Sequence, residues 1–122
     1  MIGYLMLGAN NLEKSAAFYD ALFQDLNASR AYQTEDFVAW SFGEAASMFT
    51  ITKPFDKKPA TVGNGVMVAL KSETPASVDA MHAKALQLGG TNEGDPGQRG
   101  KGFYAAYFRD LDGNKLNVFC YV

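Results

Sequence analysis

A chain of 122 residues has the length of one compact domain. With 48% hydrophobic and 20% charged residues, it carries enough apolar material for a core and enough charge for a solvated surface. The net charge of -2, without a clustered Lys/Arg face, argues against a nucleic-acid partner, and no apolar run approaches the roughly 20 residues of a membrane helix, so no membrane partner is expected. The N-terminus lacks the basic region and cleavage site of a signal peptide, and the lone Cys120 has no internal disulfide partner; both predict a cytoplasmic protein.

Taken in order, residues 2–9 (IGYLMLGA) form an apolar run of strand length closed by Asn10 and Asn11. Leu12, Ala16, Tyr19 and Leu22 or Phe23 then recur at helical spacing, with Asn10 or Asn11 as the cap and Glu13 at the positive end of the dipole. Residues 28–33 are polar and ambiguous, 37–42 (FVAWSF) read as a strand, and 47–53 (SMFTITK) alternate as a strand does. Pro54, Pro59, Gly63, Asn64 and Gly65 mark a connector, in which Lys53, Lys57 and Lys58 are read as a solvated loop before an anion site. Residues 66–70 (VMVAL) are a strand. Thr74-Pro75 starts a helix with its apolar face on Val78, Met81, Ala85 and Leu88, and Gly89-Gly90 stops it. Residues 91–102 are glycine-rich and read as irregular. Residues 103–108 and 116–122 read as strands around the turn residues Asp112-Gly113-Asn114.

The order β-α-β-β-β thus occurs twice. YLML (4–7) matches MVAL (67–70), AL (21–22) matches AL (85–86), and FVAWSF (37–42) matches FYAAYF (103–108), in order and at nearly constant offset. This predicts an internal duplication and an α+β fold of two tandem βαβββ modules. The expected sheet is open, curved and mixed around a cleft, with helices on the convex side. Module one spans about 1–53, the connector about 54–63 and module two about 64–122, within one domain.

Strand alternation then assigns faces. Leu5 and Leu7 belong under the first helix, so Tyr4 and Met6 face the cleft, and by repeat Met67 and Ala69 do the same. Leu116, Val118 and Cys120 form the aliphatic face of the last strand, which turns Asn117, Phe119 and Tyr121 to the cleft. Matching strand ends makes Phe49 the counterpart of Asn117. Trp40, Tyr104 or Tyr107 could add to this aromatic wall, and Arg99 could reach its mouth and pair with an anionic group. For any one of these aromatics, core packing is the ordinary reading, and for Arg99 it is solvent exposure. The Asn117 amide is read equally as a ligand contact or as a group satisfied by backbone neighbours.

The duplicated plan, the phrase LGANNLEKSAAFYDAL and the closing phrase FRDLDGNKLNV resemble the vicinal oxygen chelate superfamily, which includes glyoxalase I, bleomycin-resistance proteins and extradiol dioxygenases. The resemblance covers essentially the whole chain, and the stretch from Gly63 to Asp110 is closest to bacterial glyoxalase-like members. Leu111 stands where the usual phrase has Pro. In metal-using members His or Glu on the first and last strands of each module hold the ion. Carried over, those positions fall on Tyr4, Phe49, Met67 and Asn117, all departures from the pattern. A Lewis-acidic divalent ion wants imidazole or carboxylate donors, so no metal and no other cofactor is expected. His82, alone on the second helix, does not replace them.

The leading expectation is a metal-free small-molecule binding protein of the glyoxalase/bleomycin-resistance type. Its ligand-binding residues would be Tyr4, Met6, Trp40, Phe49, Met67, Arg99, Tyr104, Asn117 and Phe119. No catalytic residue is assigned. The alternatives are a glyoxalase-like lyase, isomerase or dioxygenase-family enzyme with an atypical site, with Tyr4 or Tyr104 as acid or base, and a structural partner. A homodimer is expected, because relatives often dimerise and small sheets leave open edges.

Overall fold

The structure, a computed structural model, describes residues 1–122. It is an α+β fold of two tandem βαβββ modules, and neither sheet closes into a barrel. The compact units are Met1–Val62 and Gly63–Val122. No helix is long and apolar enough to cross a membrane.

Module one contains β1 (Tyr4–Gly8), α1 (Leu12–Leu22), β2 (Ser29–Gln33), β3 (Phe37–Ser41) and β4 (Met48–Thr52), with sheet order β1-β4-β3-β2. β1 runs parallel to β4, and the other pairs are antiparallel. α1 begins where Asn11 stops the strand: its Oδ1 accepts from Lys14 N at 3.0 Å and so satisfies one orphan donor of the first turn. Asn10, the other candidate cap, instead holds the connector. Its Oδ1 accepts from Ala60 N at 2.7 Å and its Nδ2 donates to Ala60 O at 3.5 Å. The core beneath α1 is aromatic. Tyr19 and Phe23 of its last turn lie 4.6 and 5.2 Å, centroid to centroid, from Phe49, and Trp40 joins them. All four rings are buried.

Module two contains β5 (Val68–Lys71), α2 (Pro75–Gln87), β6 (Thr91–Gln98), β7 (Phe103–Arg109) and β8 (Lys115–Tyr121), in the order β5-β8-β7-β6. α2 is capped reciprocally by Thr74 and Ser77, with Pro75 at the position where a missing N–H costs nothing. It ends at Gly89, whose φ of 104° suits glycine, while Gly90 N donates to Ala85 O. The residues beneath α2 are largely aliphatic: Val78, Ala85, Ala106, Leu116 and Val118, with Phe108 as a buried ring among them.

The segment 91–102, expected to be irregular, is mostly strand: β6 pairs with β7 from Thr91 to Gln98. Its register shifts at Asn92/Gly94 and again at Gly94/Gly97, and these irregularities absorb residues that break strand alternation. Pro96 is tolerated because β6 is an edge strand. The ambiguous segment 28–33 is an exposed edge strand, β2, whose polar residues gave no alternation to read. Met67, expected inside a strand, precedes β5 by one residue.

Candidate functional site

Register separates the two faces of each sheet. In module one Leu5 pairs with Phe49 and Leu7 with Ile51, and these residues lie on the helix-covered face with Val38 and Trp40. Tyr4 pairs with Met48 and Met6 with Thr50, on the helix-free face. In module two Val68 pairs with Leu116 and Leu70 with Val118 under α2, whereas Ala69, Asn117 and Tyr107 lie side by side on the helix-free face, followed by Ala105 and Phe119.

Three sequence assignments change. Phe49 does not face away from the helix; it is 2% exposed and packs on Tyr19 and Phe23 of α1. The structural counterpart of Asn117 is Thr50, since Met6 pairs with Thr50 as Ala69 pairs with Asn117. The sequence matching slipped by one residue in the β3–β4 loop. Thr50, a lone polar residue between Phe49 and Ile51, was the available signal for the correct alternation. Trp40 is also a core residue under α1. Its Nε1 donates to Asp20 Oδ1 at 2.9 Å, and Arg30 makes a two-pronged pair with the same carboxylate at 2.6 and 3.1 Å. The Arg30 hydrogen bond holds the Asp20 carboxyl below its ordinary pKa against the opposing effect of burial. Tyr104 lies on the α2 side of β7. Its hydroxyl donates to Asp79 Oδ1 at 2.7 Å, a bond that raises its pKa above the usual phenol value and removes it as an acid or base for the helix-free face.

The remaining candidates do lie away from the helices. Tyr4, Met6 and Met67 are exposed, and Phe119 is half-buried. Asn117 is 2% exposed, and its Nδ2 donates to Ala106 O at 3.0 Å and Val118 O at 3.2 Å. The backbone reading of this amide therefore describes its two donors. Arg99 folds back over the face: its guanidinium carbon stands 5.7 Å from the Tyr107 ring centre, and one of its nitrogens donates to Asp95 O. Gly94 and Gly97 make room for it, since a Cβ on Gly97 would approach Arg99 Nη1 to 2.9 Å. Lys115 Nζ stands 5.6 Å from the same ring. Phe103, Phe119 and Tyr121 extend the aromatic surface, with centroid separations of 5.1 to 6.3 Å.

The donor set does not fit a divalent ion. No three His, Cys, Asp or Glu side chains come together. The positions that would supply ligands hold a phenol, a thioether, an alcohol (Thr50) and an amide whose NH2 is already committed to two carbonyls. His82 is buried in the α2 interface. Its Nε2 lies 3.0 Å from Asn92 Oδ1 and 3.2 Å from Tyr107 O, both acceptors, so this nitrogen carries the proton and ties helix to sheet. Asp110 is likewise a turn residue: its carboxylate accepts from Asp112 N, Asn114 N and Asn114 Nδ2.

A cavity also lies beside Met6, among connector residues not expected to bind. In module one a groove of about 930 Å3 lies between the end of the helix-free face and the connector. Met6, Phe37, Pro54, Phe55 and Pro59 supply its apolar wall, and Lys53, Lys57, Lys58 and Asp36 its charges. Phe55 is wholly exposed. An aromatic residue beside two prolines in the lysine-bearing connector was the signal in the sequence.

The repeated βαβββ unit, with polar and aromatic side chains on its helix-free faces, defines a duplicated α+β domain. The Glyoxalase/Bleomycin resistance protein/Dioxygenase superfamily profile matches residues 1–118, and the chain belongs to that superfamily. A glyoxalase/bleomycin resistance protein from Albidiferax ferrireducens is 37% identical, with 100% of this chain and 99% of that one covered and a TM-score of 0.90. A hypothetical protein from S. aureus is 28% identical over 96% of this chain and 91% of that one, with a TM-score of 0.77. A glyoxalase-related enzyme from Fulvimarina pelagi, at 16% identity, 98% and 87% coverage and a TM-score of 0.81, shares the fold. No curated protein matches the chain.

Proposed function

We propose that the chain is a metal-free small-molecule binding protein whose ligand rests on the helix-free face of module two, chiefly against Tyr107 and Phe119. One observation carries this reading. The two modules share a topology but weight their rings differently, although Tyr4 and Phe37 lie on the helix-free face of module one and Tyr104 and Phe108 on the α2 side of module two. In module one Tyr19, Phe23, Trp40 and Phe49 fill the space under the helix. In module two Phe103, Tyr107, Phe119 and Tyr121 lie on the face away from α2, where they contribute nothing to the helix interface. Rings kept out of a core and placed beside a guanidinium suit a flat ligand. The neutral side chains at the metal positions support binding without Lewis-acid chemistry. A homodimer is part of the proposal, supported by the exposed apolar side chains of Tyr4, Met6, Val66 and Met67. The lone buried Cys120 suits a reducing cytoplasm.

The test is an NMR screen of flat aromatic compounds against the assigned amide spectrum, with the oligomeric state measured by light scattering. Saturable shifts centred on Tyr107, Asn117 and Phe119 are expected. Stoichiometric uptake of Ni, Zn or Mn through the helix-free residues would overturn the metal-free reading. A library with no binders would overturn the binding reading.

A further inference from the structure

We propose that the connector groove of module one is a subsite for the carboxylate of an aromatic acid. This deepens the binding function proposed above by naming a ligand class, and it rests on that reading. Three lysines, Lys53, Lys57 and Lys58, line the groove against one acidic residue, Asp36. The nearby Asp56 uses its Oδ1 to accept from Lys58 N at 2.9 Å. None of the three lysines forms an ion pair with a protein carboxylate, so their charge is available to a ligand. The apolar wall is of matching kind: the aromatic residues Phe37 and Phe55 line it together with the adaptable Met6. A cavity of about 930 Å3 accommodates a bicyclic acid.

The wall is built rather than loose. Asn10 grips Ala60 through both its amide atoms, and a Cβ on Gly8 would come within 2.9 Å of Ala60 Cβ, so strand end and connector are in close contact. Lys57 adopts a left-handed backbone with φ of 63°, uncommon for a residue other than Gly or Asn, within the turn closed by its own N–H to Pro54 O. Such a conformation is retained here at a lysine that lines the groove.

The experiment titrates the protein with 1-naphthoate and, in parallel, with the neutral 1-naphthylmethanol, followed by amide shifts. Naphthoate is expected to bind several-fold more tightly, to shift the amides of residues 53–60, and to weaken as salt rises. Lys53→Gln and Lys58→Gln are each expected to weaken it by up to about fivefold, the range of a solvent-exposed charge pair. Lys57→Asn removes the charge while an asparagine tolerates the left-handed turn, so a loss there reports charge and not strain. Equal affinity for acid and alcohol, or lysine variants without effect, would overturn the proposal. Shifts confined to Tyr107, Asn117 and Phe119 would overturn the groove and leave the binding function standing. Binding of neither compound would overturn the groove for this class, and the wider aromatic screen then decides the parent reading separately.

Discussion

Asn117→Asp tests what the buried amide does. The substitution keeps the shape of the side chain and exchanges its NH2 for an oxygen. In the native chain that NH2 donates to Ala106 O and Val118 O at 3.0 and 3.2 Å. The protonated acid keeps one O–H donor for one of these carbonyls, so one bond of about 1 kcal/mol is lost. An ionised carboxylate would further face two carbonyl oxygens at a site 2% exposed, so the folded state favours the protonated acid. The folded pKa of the new group is then raised above the unfolded value of about 3.9. The sign follows: the folded state holds the proton more tightly, so the ionisation penalty is absent below about pH 4. It grows as pH rises and is complete above the folded pKa. Each tenfold gain in the folded state's proton affinity over the unfolded state's adds about 1.4 kcal/mol to it. The variant should therefore trail the parent by about 1 kcal/mol in acid and by about 2–4 kcal/mol at neutral pH. Urea unfolding followed by circular dichroism at pH 4 and 7.5, each against the parent protein, measures both deficits. Asn117→Leu, which loses the bonds without gaining a charge, should show the same deficit at both pH values. A parent-like midpoint for the Asp variant at pH 7.5 would refute the reasoning, and would free the position for a ligand.

Other outcomes follow from the same geometry. Asp20→Asn should lower stability at neutral pH by removing the Arg30 pair, measured by thermal melts. Because the folded Asp20 pKa is lowered, its contribution is present above the unfolded value and lost as pH falls through the folded one, so this deficit should shrink below about pH 4. Gly8→Ala should push Ala60 away from the strand end, given the 2.9 Å approach, and weaken naphthoate binding several-fold in the same amide-shift titration. Tyr104→Phe should leave ligand affinity unchanged, because its hydroxyl serves Asp79 on the helix side. Dialysis against Ni, Zn or Mn followed by elemental analysis should leave well under one ion per chain.

Much of the fold was legible because its signals are local. Asn11 and Thr74 each precede a helical pattern, and β3, β7 and β8 are apolar runs bounded by turn chemistry. β6 was not legible, since glycines and Pro96 break alternation and only the register shifts against β7 reconcile them. Site residues were harder for a different reason. Alternation divides a strand into two faces but does not say which face a ring occupies when both are apolar. Phe49 and Trp40 had the composition of a binding wall, yet helix α1 offers Tyr19 and Phe23 as partners, and burial there outweighs exposure of the same area.

That asymmetry bears on what the duplication has been used for. Thr50 and Asn117 occupy equivalent registers, both are buried, and neither is a metal donor of the required kind. Around them the modules diverge. Module one packs Tyr19, Phe23, Trp40 and Phe49 against its helix and carries Lys57 and Lys58 in the connector beside the exposed Phe55. Module two builds its helix interface from smaller residues and leaves Tyr107, under Arg99 and Lys115, on the helix-free face. Each module thus places aromatic side chains near cationic groups, by different residues at non-equivalent positions. If both surfaces take an anionic ligand as proposed, charge reversal in one module should weaken its own surface and leave the other's amide shifts intact.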